Sequence, residues 1–350
     1  MKRSQATTAF AWSIAAAAGL TALIWLLNPL LAGVAHLPDK GAAWYFWQSV
    51  PETRTFLTHV SPWIGYVLHQ ASLWVIVVLM MKERPHPGRL SRLNIAALAV
   101  NGAFILLHIL QTQLWYDGLA QDVPVWSSQF SVIIMLVIIL YQLAPRRGLF
   151  AGRKIAWKRE ALALSNRWHG LYISWALVYT FWFHPTVGEF GLLIGFFYMF
   201  LLLVQLSFAN TEVHFSLAWI AVLELVVGLH GPLIAIQKAI MGQDAGVPGF
   251  QFTGPGGFWI MFATGFLFMF AFTGQYSFRM PKWGRALVYS GYAALVAVLY
   301  ALRGFSHLYE VTFIPFALYG GSLALALLAR LGAEIGKKKG GKTRHAAPEL

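Results

Sequence analysis

The chain has 350 residues, 58% of them hydrophobic and 11% charged, with a mean hydropathy of +0.61. This composition excludes an ordinary soluble domain and points to an all-α, polytopic integral membrane helix bundle in the cell membrane. The net charge of +13 is split among short connections without aromatic-basic interleaving, so no nucleic-acid partner is expected. The lack of cysteine excludes disulfides, thiolate metal sites, iron–sulfur clusters and cysteine nucleophiles.

Apolar runs of about 20 residues can cross a ~30 Å hydrocarbon core as helices, and about ten are expected. The first, 10–36, follows Met1, Lys2 and Arg3 and is too long for an ordinary signal-sequence core. Spans two and three, 60–81 and 94–116, carry His69 and His108. A rise of about 1.5 Å per residue puts both roughly 12–14 Å below the outer surface, facing each other. On span three Asn101, His108 and Trp115 fall close to one line, with Gln111 about 60° away, a polar stripe that must face protein or water rather than lipid.

Span four, 124–144, leads into the longest connection, 145–167, whose basic composition suits a surface-lying helix. That connection divides a first transmembrane group, 1–144, from a second, 168–332, and a basic tail, 333–350, follows. Spans five and six, 169–187 and 188–208, are separated only by the break from His184 to Glu189. The remaining spans are 212–236, 256–278, 286–303 and 311–331, with TGPGG at 253–257 read as a turn into the eighth. The outer loops, 37–59 and 238–255, are rich in aromatic residues, Gly and Pro, and AAWYFWQS suits an interfacial aromatic belt.

Placing both termini in the cytoplasm puts 22 of the 26 Lys and Arg residues on that side and leaves Lys40, Arg54, Lys238 and Arg303 outside. The cationic tail then lies near anionic lipid head groups.

Polar residues within the spans carry the functional expectations, because an ionisable group in hydrocarbon costs roughly 2.5–3.5 kcal/mol even on the lenient insertion scale. Glu224 is the one acid read as deep, about 18 Å from the outer surface by the helical rise, with His230 at about 9 Å. No Lys or Arg in any span is available to it, so it is expected to be neutral at rest. Pro232 predicts a kink or local unwinding around GLHGP, while Gly228 and Gly231 open the Glu224 side to a neighbouring helix or a ligand.

These residues predict an outward-facing His/Glu cavity in a proton-coupled transporter or permease of a small or lipid-like substrate. Glu224 and His108 would handle the proton, and His69, His230, Asn101, Gln111 and Trp115 would line the substrate site. A lone intramembrane histidine is otherwise a common interhelical hydrogen-bonding device, and His169, His184 and His214 at helix ends suit interfacial positions. The alternative is a membrane oxidoreductase with haem b or a divalent metal on the same histidines. Pairs resembling those of diheme membrane cytochromes occur as His169 with His184 and His214 with His230, although their helical phase does not match. A lipid-acting transferase with His108 or Glu224 as general base is the third class. Membrane lipids are expected partners in every case. Walker, G-x-G-x-x-G, H-E-x-x-H and G-x-S-x-G signatures are absent.

Overall fold

The computed structural model describes residues 4–37, 47–240, 251–254 and 257–344. Most of the expected aromatic belt, the segment 241–250, Pro255 and Gly256 of the TGPGG turn, and the end of the basic tail lie outside the described residues.

Ten α-helices follow one another among the described residues, with short 3-10 turns and no strand. They are α1 (Gln5–Leu27), α2 (Phe56–Met80), α3 (Arg92–Trp115), α4 (Val125–Arg147), α5 (Arg159–Phe183), α6 (Phe190–Ser207), α7 (Leu217–Ile240), α8 (Trp259–Phe272), α9 (Lys282–Arg303) and α10 (Phe313–Arg344). Capping side chains set several starts. Ser91 accepts from the Asn94 backbone N–H at 3.2 Å while Asn94 accepts from the Ser91 N–H at 2.8 Å, a reciprocal box.

Among the described residues nine helical segments are long and apolar enough to cross a membrane. Large apolar side chains such as Trp12, Val75, Leu229 and Phe316 are exposed on the outside of the bundle, as a hydrocarbon environment allows. The expected tenth span, α5, is not among the nine, because its first half carries Arg159, Glu160, Asn166, Arg167 and His169. Its other half is the inside of the molecule. All eight residues from Ala176 to Phe183 are buried, so α5 is enclosed on every side there.

Two boundary expectations need correction. The segment 145–167 holds no surface-lying helix: α4 runs on to Arg147, Phe150 and Arg153 pair across a tight turn, and α5 begins at Arg159. Helix α7 is also unbroken through Pro232 to Ile240, so the expected local unwinding is not found. Its glycines have the use foreseen for them, since a Cβ on Gly228 or Gly231 would meet Phe266 of α8 at 3.3 or 3.1 Å.

Both ends of the described chain lie at one end of the bundle. Ser4 donates to Glu212, in the α6–α7 turn, at 2.5 Å, and Gly88, between α2 and α3, donates its backbone N–H to the same carboxylate. Lys158, just before α5, pairs with Glu334 of α10 at 2.7 Å. We call this the basic end, since it gathers the cation-rich connections. The opposite end is closed by polar contacts around aromatic residues: Trp47 donates to Glu189 at 2.6 Å, Gln237 to the same oxygen at 2.7 Å, and Ser49 to Asp117 at 2.5 Å. Burial raises the carboxyls of Asp117 and Glu189 above their ordinary range, against the lowering effect of these donors.

The polar stripe of α3 faces protein, as expected, and its partners explain it. Asn94 donates to the carbonyls of Ser207 and Ala209 at 2.7 and 3.0 Å, and Asn101 donates to the Ser207 hydroxyl at 2.9 Å. His108 Nε2 bonds the His184 carbonyl at 2.8 Å, and Thr112 accepts from the Thr186 N–H at 3.0 Å. One helix therefore serves both ends of α6, including the break at His184 to Glu189, where the backbone has no helical partners.

Trp182 fills the space between α2 and α3. It is fully buried, donates to His69 Nδ1 at 3.3 Å and lies 4.2 Å, centroid to centroid, from the His108 ring. A Cβ on Gly65 would stand 2.1 Å from its ring, so only glycine seats it. Gly65→Ala should destabilise the fold by about 1–3 kcal/mol through overpacking, read as a lower melting temperature in detergent, and adding Trp182→Phe should return part of the loss.

Burial opposes the charge on Glu212, but hydrogen bonds from Ser4, Gly88 and Thr7 outweigh it and hold the carboxyl below its ordinary 4.5. A depressed carboxylate contributes stability above its free value and loses it as pH falls through the folded one. Amide protection factors at the start of α1 should therefore fall below pH 4.5, and Glu212→Gln should show the lower protection at neutral pH.

Candidate functional site

Glu224 sits seven residues into α7, about 10 Å from its start, near the basic end rather than the opposite one. It is also not alone. Arg147 Nη1 and Nη2 donate to its two oxygens at 2.6 and 2.5 Å, a bidentate pair, and Arg147 Nη1 further donates to Ser277 at 3.0 Å. The Arg147 side chain is 1% exposed and that of Glu224 25%. The expectation that no cation is available to Glu224 is thus overturned. Its basis was the assignment of Arg147 to a loop, whereas α4 carries Pro145 within its last turn and delivers Arg147 inside the bundle. An acid too costly to leave alone calls for a cation from the nearest basic connection, and that signal was present in the sequence.

The Arg147–Glu224 pair forms part of the wall of a cavity of about 610 Å³ at the basic end, enclosed by α2, α4, α5, α6, α7 and α8. Polarity in it is graded. Residues toward the ends of these helices are Glu83, Arg146, Asn166, Arg167 and Asn210. One to three turns inward the lining is Val77, Ile139, Ile173, Leu202, Val227 and Phe266. At the change between the two stand Glu224, His169 and His214.

His169 Nδ1 lies 2.8 Å from the Asn166 carbonyl, which only accepts, so Nδ1 carries the proton and Nε2 keeps a lone pair for a ligand, a metal or a substrate proton. His214 Nδ1 stands between the Gln205 carbonyl at 3.1 Å and the Gln205 side-chain amide nitrogen at 3.3 Å, an acceptor and a donor. Both had been read as interfacial side chains, since position near a helix end does not reveal a concave neighbour.

Of the residues expected at the site, only Glu224 lines this cavity. His69, His108, Asn101 and Gln111 are buried in packed protein. His69 Nε2 bonds Asn101 at 2.9 Å, His108 Nδ1 bonds Gln111 at 2.9 Å, and Gln111 donates to the Tyr116 carbonyl at 2.7 Å. Trp115 is half-buried at the end of α3. The equal depth of His69 and His108 is also corrected. Helix α2 begins at Phe56, so His69 is about 20 Å from its start, whereas His108 is about 10 Å from the end of α3. The two approach through Phe181, which presents its ring edge-on to both.

His230 occupies a different face of α7 from Glu224. It packs on α6, where a Cβ on Gly195 would come within 2.7 Å of its ring, and its Nδ1 has no hydrogen-bond partner among the described residues. It shares an electrostatic neighbourhood with His184, and His214 does so with His169. The histidines of α5 and of the α7 region thus meet across the two helices rather than along one. Among the described residues no three His, Asp or Glu side chains gather to hold a metal ion.

Glu224→Leu should cost about 3–5 kcal/mol of stability, because it leaves the Arg147 guanidinium buried without its countercharge. Glu224→Gln should lose less, since the amide oxygen still accepts. The double change Arg147→Met with Glu224→Leu should recover most of the loss, and thermal unfolding of the parent, Arg147→Met, Glu224→Leu and the double measures the coupling. Comparison of the chain with protein-family models, with curated proteins and with solved structures finds no match in any of the three.

Proposed function

We propose that the chain is a multi-pass membrane permease that admits an amphipathic, lipid-like substrate into the basic-end cavity, with that end facing the cytoplasm. The observation that carries this reading is the polarity gradient of the lining: cations and amides at the mouth, and a mostly apolar wall within that Tyr198, Gln142, Gln205 and Thr273 interrupt. Such a lining matches a molecule with a polar head and a hydrocarbon tail, and its volume suits a single small ligand. On this reading the packed layer of His69, His108, Phe181 and Trp182 closes the route toward the other end, as an inward-facing state requires. Cation placement supports the same orientation.

In this reading Glu224 acts as the counterion of Arg147, and the pair ties α4 to α7. His69, His108, Asn101 and Gln111 keep the closed layer rigid, a positioning role rather than the substrate-binding one expected of them.

A second reading rests on His169 and His214, two imidazoles on the cavity wall of the kind that serve as axial ligands of a haem in a membrane oxidoreductase. A Soret band in protein purified without added cofactor would establish it, and its absence after haem-supplemented expression would remove it.

Reconstitution tests the permease. Vesicles containing the protein should move a fluorescent lipid analogue between leaflets, and Ile139→Trp or Leu202→Trp, which fill the cavity, should slow this at least tenfold while the protein stays folded. Filled variants that work as well as the parent would overturn the proposal.

A further inference from the structure

Two of the three arginines on the cavity wall are uncommitted to any acid. Arg147 is neutralised by Glu224. Arg146 donates one N–H to the Phe215 carbonyl at 2.8 Å and stays exposed at the mouth, while Arg167 lies over the Trp168 ring at 5.1 Å with no acidic partner among the described residues. They come from different helices, the last turn of α4 and the first half of α5, and face the same opening. The acids on that wall are Glu83, which accepts from Ser91 at 3.1 Å, and the paired Glu224. The imidazoles of His169 and His214 line the same wall, and the Asn166 carbonyl holds the proton of His169 on Nδ1, which leaves its Nε2 as an acceptor.

We infer that the head group seated at this mouth is a phosphate anion, so that the substrate of the proposed permease is an acyl or other long-chain phosphate lipid. The inference rests on the permease reading for the cavity and adds the chemistry of the head group. Planar guanidinium groups pair with phosphate oxygens through two parallel N–H bonds, and a singly protonated phosphate can give its O–H to an imidazole Nε2. A carboxylate-headed amphiphile would use one arginine and leave the other unmatched. A zwitterionic head would place its ammonium among Arg146, Arg147 and Arg167, which repel it. The tail then lies along Val77, Ile139, Leu202 and Phe266.

Competition for the purified protein in detergent tests this, with phosphatidic acid, phosphatidylcholine and diacylglycerol of equal chain length present together and bound lipid counted by native mass spectrometry. The parent protein should retain phosphatidic acid at least tenfold over the other two. Arg146→Gln with Arg167→Gln should cut that preference about tenfold without lowering the melting temperature, while Arg146→Lys with Arg167→Lys should keep part of it. Arg153→Gln with Lys154→Gln, cations of the same end that do not line the cavity, should change nothing. Leu202→Trp should reduce all three lipids together. Equal retention of the three lipids by the parent, or an undiminished preference in the double Gln variant, would overturn the phosphate assignment. Retention unaffected by Leu202→Trp would instead overturn the cavity itself as the binding place.

Discussion

A backbone break inside an apolar bundle leaves amide groups that neither water nor helix geometry can satisfy, and the architecture is organised around one such break, His184 to Glu189. Its groups are met from α3 by His108 and Thr112, and from the end of α1 by Asn28, which accepts from the Gly188 N–H at 2.6 Å. The same helix α3 secures the far end of α6 through Asn94. These bonds fix where α6 begins and stops, and with it the wall that Tyr198, Leu202 and Gln205 give to the cavity. Residues that look catalytic because they are polar and deep are here the fastening of a discontinuous element.

Charge is distributed by the same logic. Arg303 pairs with Glu310 at 2.6 and 2.7 Å at the end opposite to the cavity, and Arg147 with Glu224 beside it. Both are bidentate, the first between residues seven apart in the chain and the second between α4 and α7, and they differ in setting. The first has both partners buried in protein, and the second has its acid partly open to the cavity. A pair with one accessible member can be reached by a ligand or a proton, and this is why the second belongs to the functional region.

Much of the fold was legible because apolar length is a sufficient signal for helices in hydrocarbon, and the inward orientation of the α3 stripe followed from helical phase alone. What escaped the sequence depended on contacts between distant segments. The helical phase of His69 and His108 said that both face protein, yet not whether the space beside them is hollow, and Trp182 on Gly65 fills it. Glu224 could be recognised as needing a partner, but Pro145 disguised the helix that supplies one. His169 and His214 lie near helix ends, where nothing local distinguishes a concave wall from an interface. Pro232 suggested a broken helix, whereas packing of Gly228 and Gly231 on α8 accompanies a continuous one.

The character of α5 bears on how the chain enters a bilayer. It is the most enclosed helix over its second half and, among the ten described, the one whose own composition does not carry it into hydrocarbon. Insertion scales weigh each segment as it emerges, and Arg159, Arg167 and His169 count against this one. Its residence in the bundle is therefore a gift of its neighbours: α4 before it and α6 after it must hold it while Trp182 and its adjacent aromatic residues find their places. Of the ten described helices, the segment that becomes the centre is the one that the membrane would accept least readily by itself.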